Sequence, residues 1–282
     1  MKPMAEADFQ MISEIARKEA GLFFPITKRV FVSSRLQRRL RATGRPSFSE
    51  YARFLLRSDP VSAQERKELV SALTTNVTGI FREPHHFDIL YRLLQKKSSD
   101  QSGLRRPIRI WSAGCSSGEE AFSIAATCRL VFGPQWSDHV RILGTDIDET
   151  VLRRAVNLGE NQFILKRLQS GVAHLTGNCR GTSDLTISDL NYGITFMRQN
   201  VLVPLPVSRP FDVIFCRNVM IYFAPDIQSR VQLQLKDRLA DGGLLLLGHS
   251  ERLLAPSPDI QLIGATSYIK STNKINGDDA CL

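Results

Sequence analysis

The chain has 282 residues, 43% of them hydrophobic and 23% charged, enough for a large core in one or two domains and unlike a disordered or fibrous protein. No run approaches the roughly 18 apolar residues of a membrane span, and the N-terminal MKPMAEADFQMISEIARKEAG is charged throughout, without a secretory apolar stretch; a soluble, cytoplasmic chain with no membrane insertion is expected. The net charge of +9, from 37 Lys+Arg against 28 Asp+Glu, predicts an acidic partner.

The first hundred residues read as helices. Asp8 is expected to cap a helix carrying Phe9, Ile12, Ile15 and Ala16 and ending near Gly21, and a second runs from Lys28 to Arg41 and stops at Gly44. Ser47 with Glu50, and Ser62 with Glu65, have capping-box spacing and predict two further helices, with Tyr51, Phe54 and Leu55 on one apolar face and Leu69, Val70 and Leu73 on the other. Pro84 suits the first position of a helix whose face is Phe87, Leu90 and Leu94. The division expected is a helical domain over 1–95, a linker over 96–106 and an α/β domain over 107–275.

Past the linker, short β-rich runs alternate with helical patterns, the signature of a doubly wound parallel sheet. RPIRIWSAG, VRILGTD, ITFMRQN, FDVIFCRN and GLLLLGHS read as strands; APDIQSRVQLQLKDRLADGG reads as a helix closed by its Gly pair. Residues 160–192 fit neither pattern and are read as an insertion with weak strand content. Five cysteines, Cys115, Cys128, Cys179, Cys216 and Cys281, lie far apart with no C-x-x-C pair, so neither a metal site nor a disulfide framework is expected.

The first strand runs into SAGCSSGEE, placing Gly114 and Gly118 in a strand-to-helix turn where a ligand can approach the backbone. The dinucleotide fingerprint G-x-G-x-x-G is absent, which disfavours NAD, and a tight turn with no ligand is an equal reading of the glycines alone. Asp146 ends the second strand, where a carboxylate can accept both ribose hydroxyls of a nucleoside; Asp148 is the better cap for the following helix. Glu119 and Glu120 favour a cationic or hydroxyl-rich ligand over a polyphosphate, although acids are also ordinary in a first helical turn. Arg217 and Asn218 interrupt an apolar run at the fourth strand tip, where polar groups are costly unless used.

In order along the chain, TTNVTGIFREPHHF, WSAGCSSGEE, GTDID, FCRNVMIYF and GGLLLLGHSE resemble the blocks of the CheR-type chemoreceptor glutamate O-methyltransferases. The resemblance implies a class I, Rossmann-like methyltransferase sheet preceded by a small all-α domain. It implies S-adenosyl-L-methionine as cofactor, S-adenosyl-L-homocysteine as product, and the cytoplasmic methylation helices of chemoreceptors as partners, with no nucleic acid. Carried over by position, the cofactor contacts are Asn76, Thr78, Arg82, Gly114, Glu120, Asp146, Asn200, Val201, Asn218 and Val219. The chain departs from the family after Glu120, where GEEPYS is replaced by GEEAFS, and over 160–192, where some members carry a small β-subdomain that docks a receptor's C-terminal peptide.

A glutamate acceptor, with a free pKa of about 4.3, is already ionised at neutral pH, so its methylation needs alignment and water exclusion rather than a strong base. Arg82 and Tyr222 are the expected catalytic positioners. The basic segment from Lys28 to Arg45 puts Arg35, Arg38 and Arg39 on one helical face, opposite Phe31, as the expected substrate surface; a solvated charge run is the plain alternative. Two rivals share the fold. A nucleic-acid methyltransferase would use an [N/D]-P-P-[Y/F] motif or a Pro-Cys nucleophile, and the chain has neither; a non-catalytic regulatory module would have little use for the intact candidate positions.

Overall fold

The structure is a computed structural model that describes residues 3–100, 106–158, 161–176, 185–255 and 258–271. Four helices open the chain: α1 (Glu6–Ala20), α2 (Arg29–Ala42), α3 (Phe48–Leu55) and α4 (Pro60–Leu73). Each buries one stripe, Phe9, Ile12, Ile15 and Ala16 from α1 and Val32, Leu36 and Leu40 from α2, at the spacing that puts residues on one helical face. Gly21 closes α1 in the left-handed conformation at φ 71°, as its position suggested.

Two of the expected helix starts shift. Asp8 lies inside the first turn of α1, whose cap position is Ala5, and its carboxylate instead accepts from Ser49 Oγ at 2.9 Å. Asp59, not Ser62, caps α4: it accepts from Ser62 N at 2.9 Å, with Pro60 at the first helical position. Glu65 is thereby released from any capping role and turns inward. There Tyr51 Oη donates to it at 2.7 Å and Arg39 Nε at 2.9 Å, while Arg39 Nη1 pairs with Glu68 at 3.2 Å.

The seven strands of the sheet are β1 (Ile108–Ala113), β2 (Val140–Asp146), β3 (Ile194–Arg198), β4 (Phe211–Cys216), β5 (Leu239–Leu247), β6 (Ile260–Gly264) and β7 (Ser267–Lys270). Their order is β3-β2-β1-β4-β5-β7-β6. The first five are parallel and β7 runs antiparallel to both its neighbours. This is the doubly wound sheet behind an all-α domain that the alternating pattern predicted. The intervening helices are α5 (His85–Ser98), α6 (Glu119–Phe132), α7 (Trp136–His139), α8 (Glu149–Asn157), α9 (Gln162–Thr176), α10 (Ile187–Asn191) and α11 (Pro225–Arg238).

Successive strand residues point to opposite faces, and each face has its own core. Trp111, Ile214, Leu245 and Leu247 join α11 and, through Leu22 and Phe223, the stripe of the helical domain. Ile110, Val213, Phe215 and Leu246 pack with Phe87, Leu90 and Leu94 of α5, Phe122 of α6 and Leu168 of α9. A division at residue 95 therefore falls within α5, whose apolar face belongs to the core of the sheet.

Three further expectations are corrected. Residues 160–192 carry no strand among the described residues; α9 and α10 occupy the segment, with Ile164, Leu168 and Val172 buried at helical spacing, and Cys179 lies outside the described residues. The Gly pair at 242 and 243 does not close α11, which ends at Arg238, but lies in β5 beside a register shift against β4. The hairpin β6–β7 was not expected at all.

Polar bonds stitch the helical domain to the sheet. Asp148 accepts from Ser71 Oγ at 2.6 Å and Asn76 Nδ2 at 3.0 Å, Asn200 Nδ2 donates to Glu19 O at 3.1 Å, and Phe23 N donates to Tyr222 O at 2.8 Å.

Candidate functional site

A cleft opens at the carboxyl ends of β1, β2, β3 and β4, where the chain reverses its winding direction. Its lining includes Asn76, Thr78, Arg82, Gly114, Glu120, Asp146, Asn200, Val201, Asn218, Val219 and Tyr222. The positions expected to contact the cofactor, with Tyr222, thus line one cavity, although they are scattered over some 150 residues of sequence; Arg35, Arg38 and Arg39, the expected substrate surface, do not line it. Ser116, Gln199 and Arg217 also face it, and among the described residues no histidine does.

The turn after β1 is shaped for close approach. Gly114 N and Cys115 N both donate to Thr145 O, at 2.7 and 2.9 Å, so the turn is tied to the end of β2. Gly114 has φ 78°, and a Cβ there would lie 2.3 Å from Val219 Cγ2; only glycine fits both demands. Asp146 is 8% exposed and accepts from Ser116 N and Asp148 N, one on each oxygen, both at 2.9 Å. A carboxylate has about four lone-pair sites, so acceptor capacity is left on each oxygen for hydroxyls of a ligand. Burial raises its pKa, against the opposing pull of those N–H bonds. Asp148 caps α8 by accepting from Thr150 N at 2.8 Å.

Marked in the sequence only as a costly polar group at the fourth strand tip, Arg217 ties the site together. Its buried guanidinium reaches Glu120 at 3.1 Å and Glu83 at 3.5 Å and donates to the carbonyl of Arg82, joining β4, α6 and the loop before α5. Burial raises the pKa of Glu120, with Arg217 and the hydroxyl of Ser112 pulling the other way. For Glu83 burial acts against ionisation, but Arg217 and bonds from His249 outweigh it and hold the carboxyl below its usual range. Glu83, His85 and His86 bring ligating atoms within 4.8 Å of one another; the fixed charge of Arg217 beside Glu83 opposes a cation there.

Among the described residues, five non-glycine residues have positive φ, and four of them, Phe81, Glu83, Ser116 and Asn218, belong to the segments that build this cleft. Such conformations cost on the order of 1–3 kcal/mol each and concentrate at functional sites. Arg82, between two of them, donates to Val77 O at 2.9 Å. The Asn218 backbone leads into a short 3₁₀ turn over Met220–Tyr222. The buried carboxylate of Glu251 accepts backbone N–H bonds from Asn218, Val219, Met220, Ile221 and Gly248.

The basic helix is not one uniform surface. Arg38 and Arg41 are exposed, and Arg35 is exposed but lies over the Phe31 ring at 5.1 Å, on the same side and not opposite it. Arg39, only 16% exposed, is engaged with Glu65 and Glu68.

Comparison with known proteins finds matches along nearly the whole chain. The family model "CheR methyltransferase, all-alpha domain" matches residues 7–74, and "CheR methyltransferase, SAM binding domain" matches residues 76–269. A chemotaxis protein methyltransferase of Klebsiella aerogenes is 36% identical over 271 residues, covering 94% of this chain and 90% of the relative. Chemotaxis protein methyltransferase 2 of Pseudomonas aeruginosa is 36% identical over 269 residues, covering 93% and 92%, and the Escherichia coli chemotaxis protein methyltransferase is 35% identical over 277 residues, covering 95% and 92%. On these matches the chain belongs to the CheR methyltransferase family, an all-α domain joined to an S-adenosylmethionine-binding domain.

Proposed function

We propose that the protein transfers the methyl group of S-adenosyl-L-methionine to glutamate side chains on the cytoplasmic helices of chemotaxis receptors, forming methyl esters and S-adenosyl-L-homocysteine. The observation that carries this reading is the single cleft in which Asp146, Glu120, Asn218 and Gly114 meet Arg82 and Tyr222. Its lining fits such a ligand: free acceptor capacity on Asp146 for ribose hydroxyls, acidic residues for a cationic group, and a glycine that admits the ligand to the backbone. When bound, held by Gly114, Glu120, Asp146 and Asn218, the cofactor would supply an electrophilic methyl group on a sulfonium for the acceptor's carboxylate oxygen.

The chain's own residues orient and exclude. A carboxylate acceptor has no proton to lose, in keeping with a cleft that, among the described residues, no histidine lines. The guanidinium of Arg82 offers a planar fork to a carboxylate, and its backbone is pinned by Arg217. Tyr222 lines the same cleft, and its carbonyl accepts from Phe23 N of the helical domain, so the acceptor meets the cleft where the two domains join. Exposed Lys28, Arg29, Arg35, Arg38 and Arg41 supply the positive field for an acidic helix.

The test is a transfer assay with methyl-labelled cofactor across receptor cytoplasmic domains, scoring base-labile methanol. Label that enters polynucleotide, or that stays on protein after base treatment, would overturn the reading.

A further inference from the structure

We propose that Glu251 is a positioning residue for methyl transfer: its carboxylate sets the turn that carries Asn218, Val219 and Tyr222 into the cleft. The inference rests on the reading of the cleft given above.

Glu251 is 4% exposed, outside the cleft lining, and lies just past β5. Its Oε1 accepts from Val219 N at 2.9 Å, Met220 N at 2.7 Å and Ile221 N at 3.3 Å, and its Oε2 from Asn218 N and Gly248 N, both at 2.8 Å. Four consecutive backbone N–H groups thus converge on one carboxylate, as in the anion-binding nests that successive N–H groups form. Without it, the buried N–H groups of Met220 and Gly248 would lose the acceptor that satisfies them. The turn they belong to has no regular structure of its own to hold it, since Asn218 sits at φ 58° and only Met220–Tyr222 is helical, as a 3₁₀ turn. The alignment of Asn218, Val219 and Tyr222 is therefore dictated from behind, by a side chain that touches neither ligand.

The second wall of this arrangement is Gly248. A Cβ there would lie 2.7 Å from Asn218 N and 2.8 Å from both Asn218 Nδ2 and Glu251 Oε2. The carboxylate, the turn and the end of β5 are in contact with no slack between them, so the turn can be displaced either by changing the acceptor or by adding one methyl group behind it.

The experiment compares wild type, Glu251→Gln and Gly248→Ala. Gln keeps the volume of Glu but turns an NH2 group toward the backbone donors; Ala at 248 keeps the carboxylate and presses on the turn. Folding is followed by circular dichroism at the assay temperature, affinity for S-adenosyl-L-homocysteine by calorimetry, and kcat and KM for receptor by labelled transfer. In each folded variant, kcat is expected to fall at least tenfold and the Kd for S-adenosyl-L-homocysteine to rise at least tenfold, with KM for receptor within twofold because the exposed face of α2 is untouched. A merely stabilising role would lower the melting temperature and leave the folded enzyme's kcat unchanged. Either folded variant with kcat and Kd within twofold of wild type overturns the proposal; if Glu251→Gln does not fold, Gly248→Ala decides. A wild-type protein that neither binds S-adenosyl-L-homocysteine nor transfers label fails for a different reason, and it is then the reading of the cleft that falls.

Discussion

Replacing Asp146 with alanine tests the centre of the cleft. In the structure each carboxylate oxygen accepts one backbone N–H, from Ser116 and from Asp148, and the remaining capacity faces the cavity. Two ribose hydroxyls bonded to an ionised carboxylate contribute about 1.5–3 kcal/mol each, so their joint loss corresponds to about 3–6 kcal/mol, or a Kd for S-adenosyl-L-homocysteine weakened on the order of 10² to 10⁴. The free protein responds differently. Because burial raises the pKa of Asp146, the native state holds its proton to higher pH than the unfolded chain does, and the group's contribution to stability declines as pH rises through that interval. Alanine removes this penalty along with two acceptors, so the thermal midpoint at neutral pH should move far less than the affinity does. Cofactor affinity in the wild type should also weaken as pH falls through the raised pKa, since the protonated carboxyl accepts less strongly. Calorimetry and thermal melting across pH check all three statements. An alanine variant that binds within twofold of wild type refutes the assignment of Asp146 to the ribose.

Glu65→Ala should destabilise the protein by about 1–3 kcal/mol in denaturant titration, because it leaves the buried Tyr51 hydroxyl without its acceptor and Arg39 with Glu68 alone; a loss under about 0.5 kcal/mol would refute the inward role of Glu65. Gly114→Ala should cost cofactor affinity at least tenfold, and adding Val219→Ala should recover part of it by removing the methyl group 2.3 Å from the new Cβ; no recovery would mean that backbone strain at φ 78° dominates. Arg82→Ala should lower kcat at least tenfold with a smaller change in cofactor Kd, as expected for a group that acts in the transition state; equal losses would assign it to cofactor binding alone. Reversing exposed Arg35 and Arg38 to Glu should raise KM for receptor at low ionic strength and leave S-adenosyl-L-homocysteine affinity unchanged; wild-type KM under those conditions would make the face a solvated surface.

Much of this was legible in the sequence because parallel strands carry their signal locally. The apolar runs at 108–113, 140–146 and 211–216 each break to Gly, Asp or Arg-Asn where the strand ends, and those breaks are the cleft. The loop bearing Asn76, Thr78 and Arg82 is different. It precedes β1 by some thirty residues and reaches the site only through tertiary bonds such as Ser116 Oγ to Asn76 O at 3.0 Å, so the family resemblance, and not periodicity, pointed to it. A helical wheel places Arg39 beside Arg35 and Arg38 but cannot show an acceptor 26 residues away. The hairpin β6–β7 was invisible because its turn passes through Thr266 at φ 51°, where an Asn-Gly or Asp-Gly pair would have announced it. Glu65 read as half of a capping box because spacing alone does not say which way a helical side chain points.

The bonds that stitch the helical domain to the sheet differ from the core in how readily they part. Ser71, Asn76 and Asn200 are only half-buried where they cross, and the ion pair Arg17–Asp226 beside them is largely exposed, at 52% and 61%, so each group exchanges its partner for water at little cost. The polar rim of the junction therefore opens locally more readily than the apolar contact at Leu22 and Phe223 beneath it. The Phe23 amide, whose acceptor is the Tyr222 carbonyl across the gap, should exchange with solvent deuterons faster than amides within β4. A molecule held in the cleft, touching both banks at Asn76 and Asp146, closes that route and slows the exchange of Phe23 by the factor 1 + [L]/Kd. The amide of a residue outside the cleft lining thus reports its occupancy.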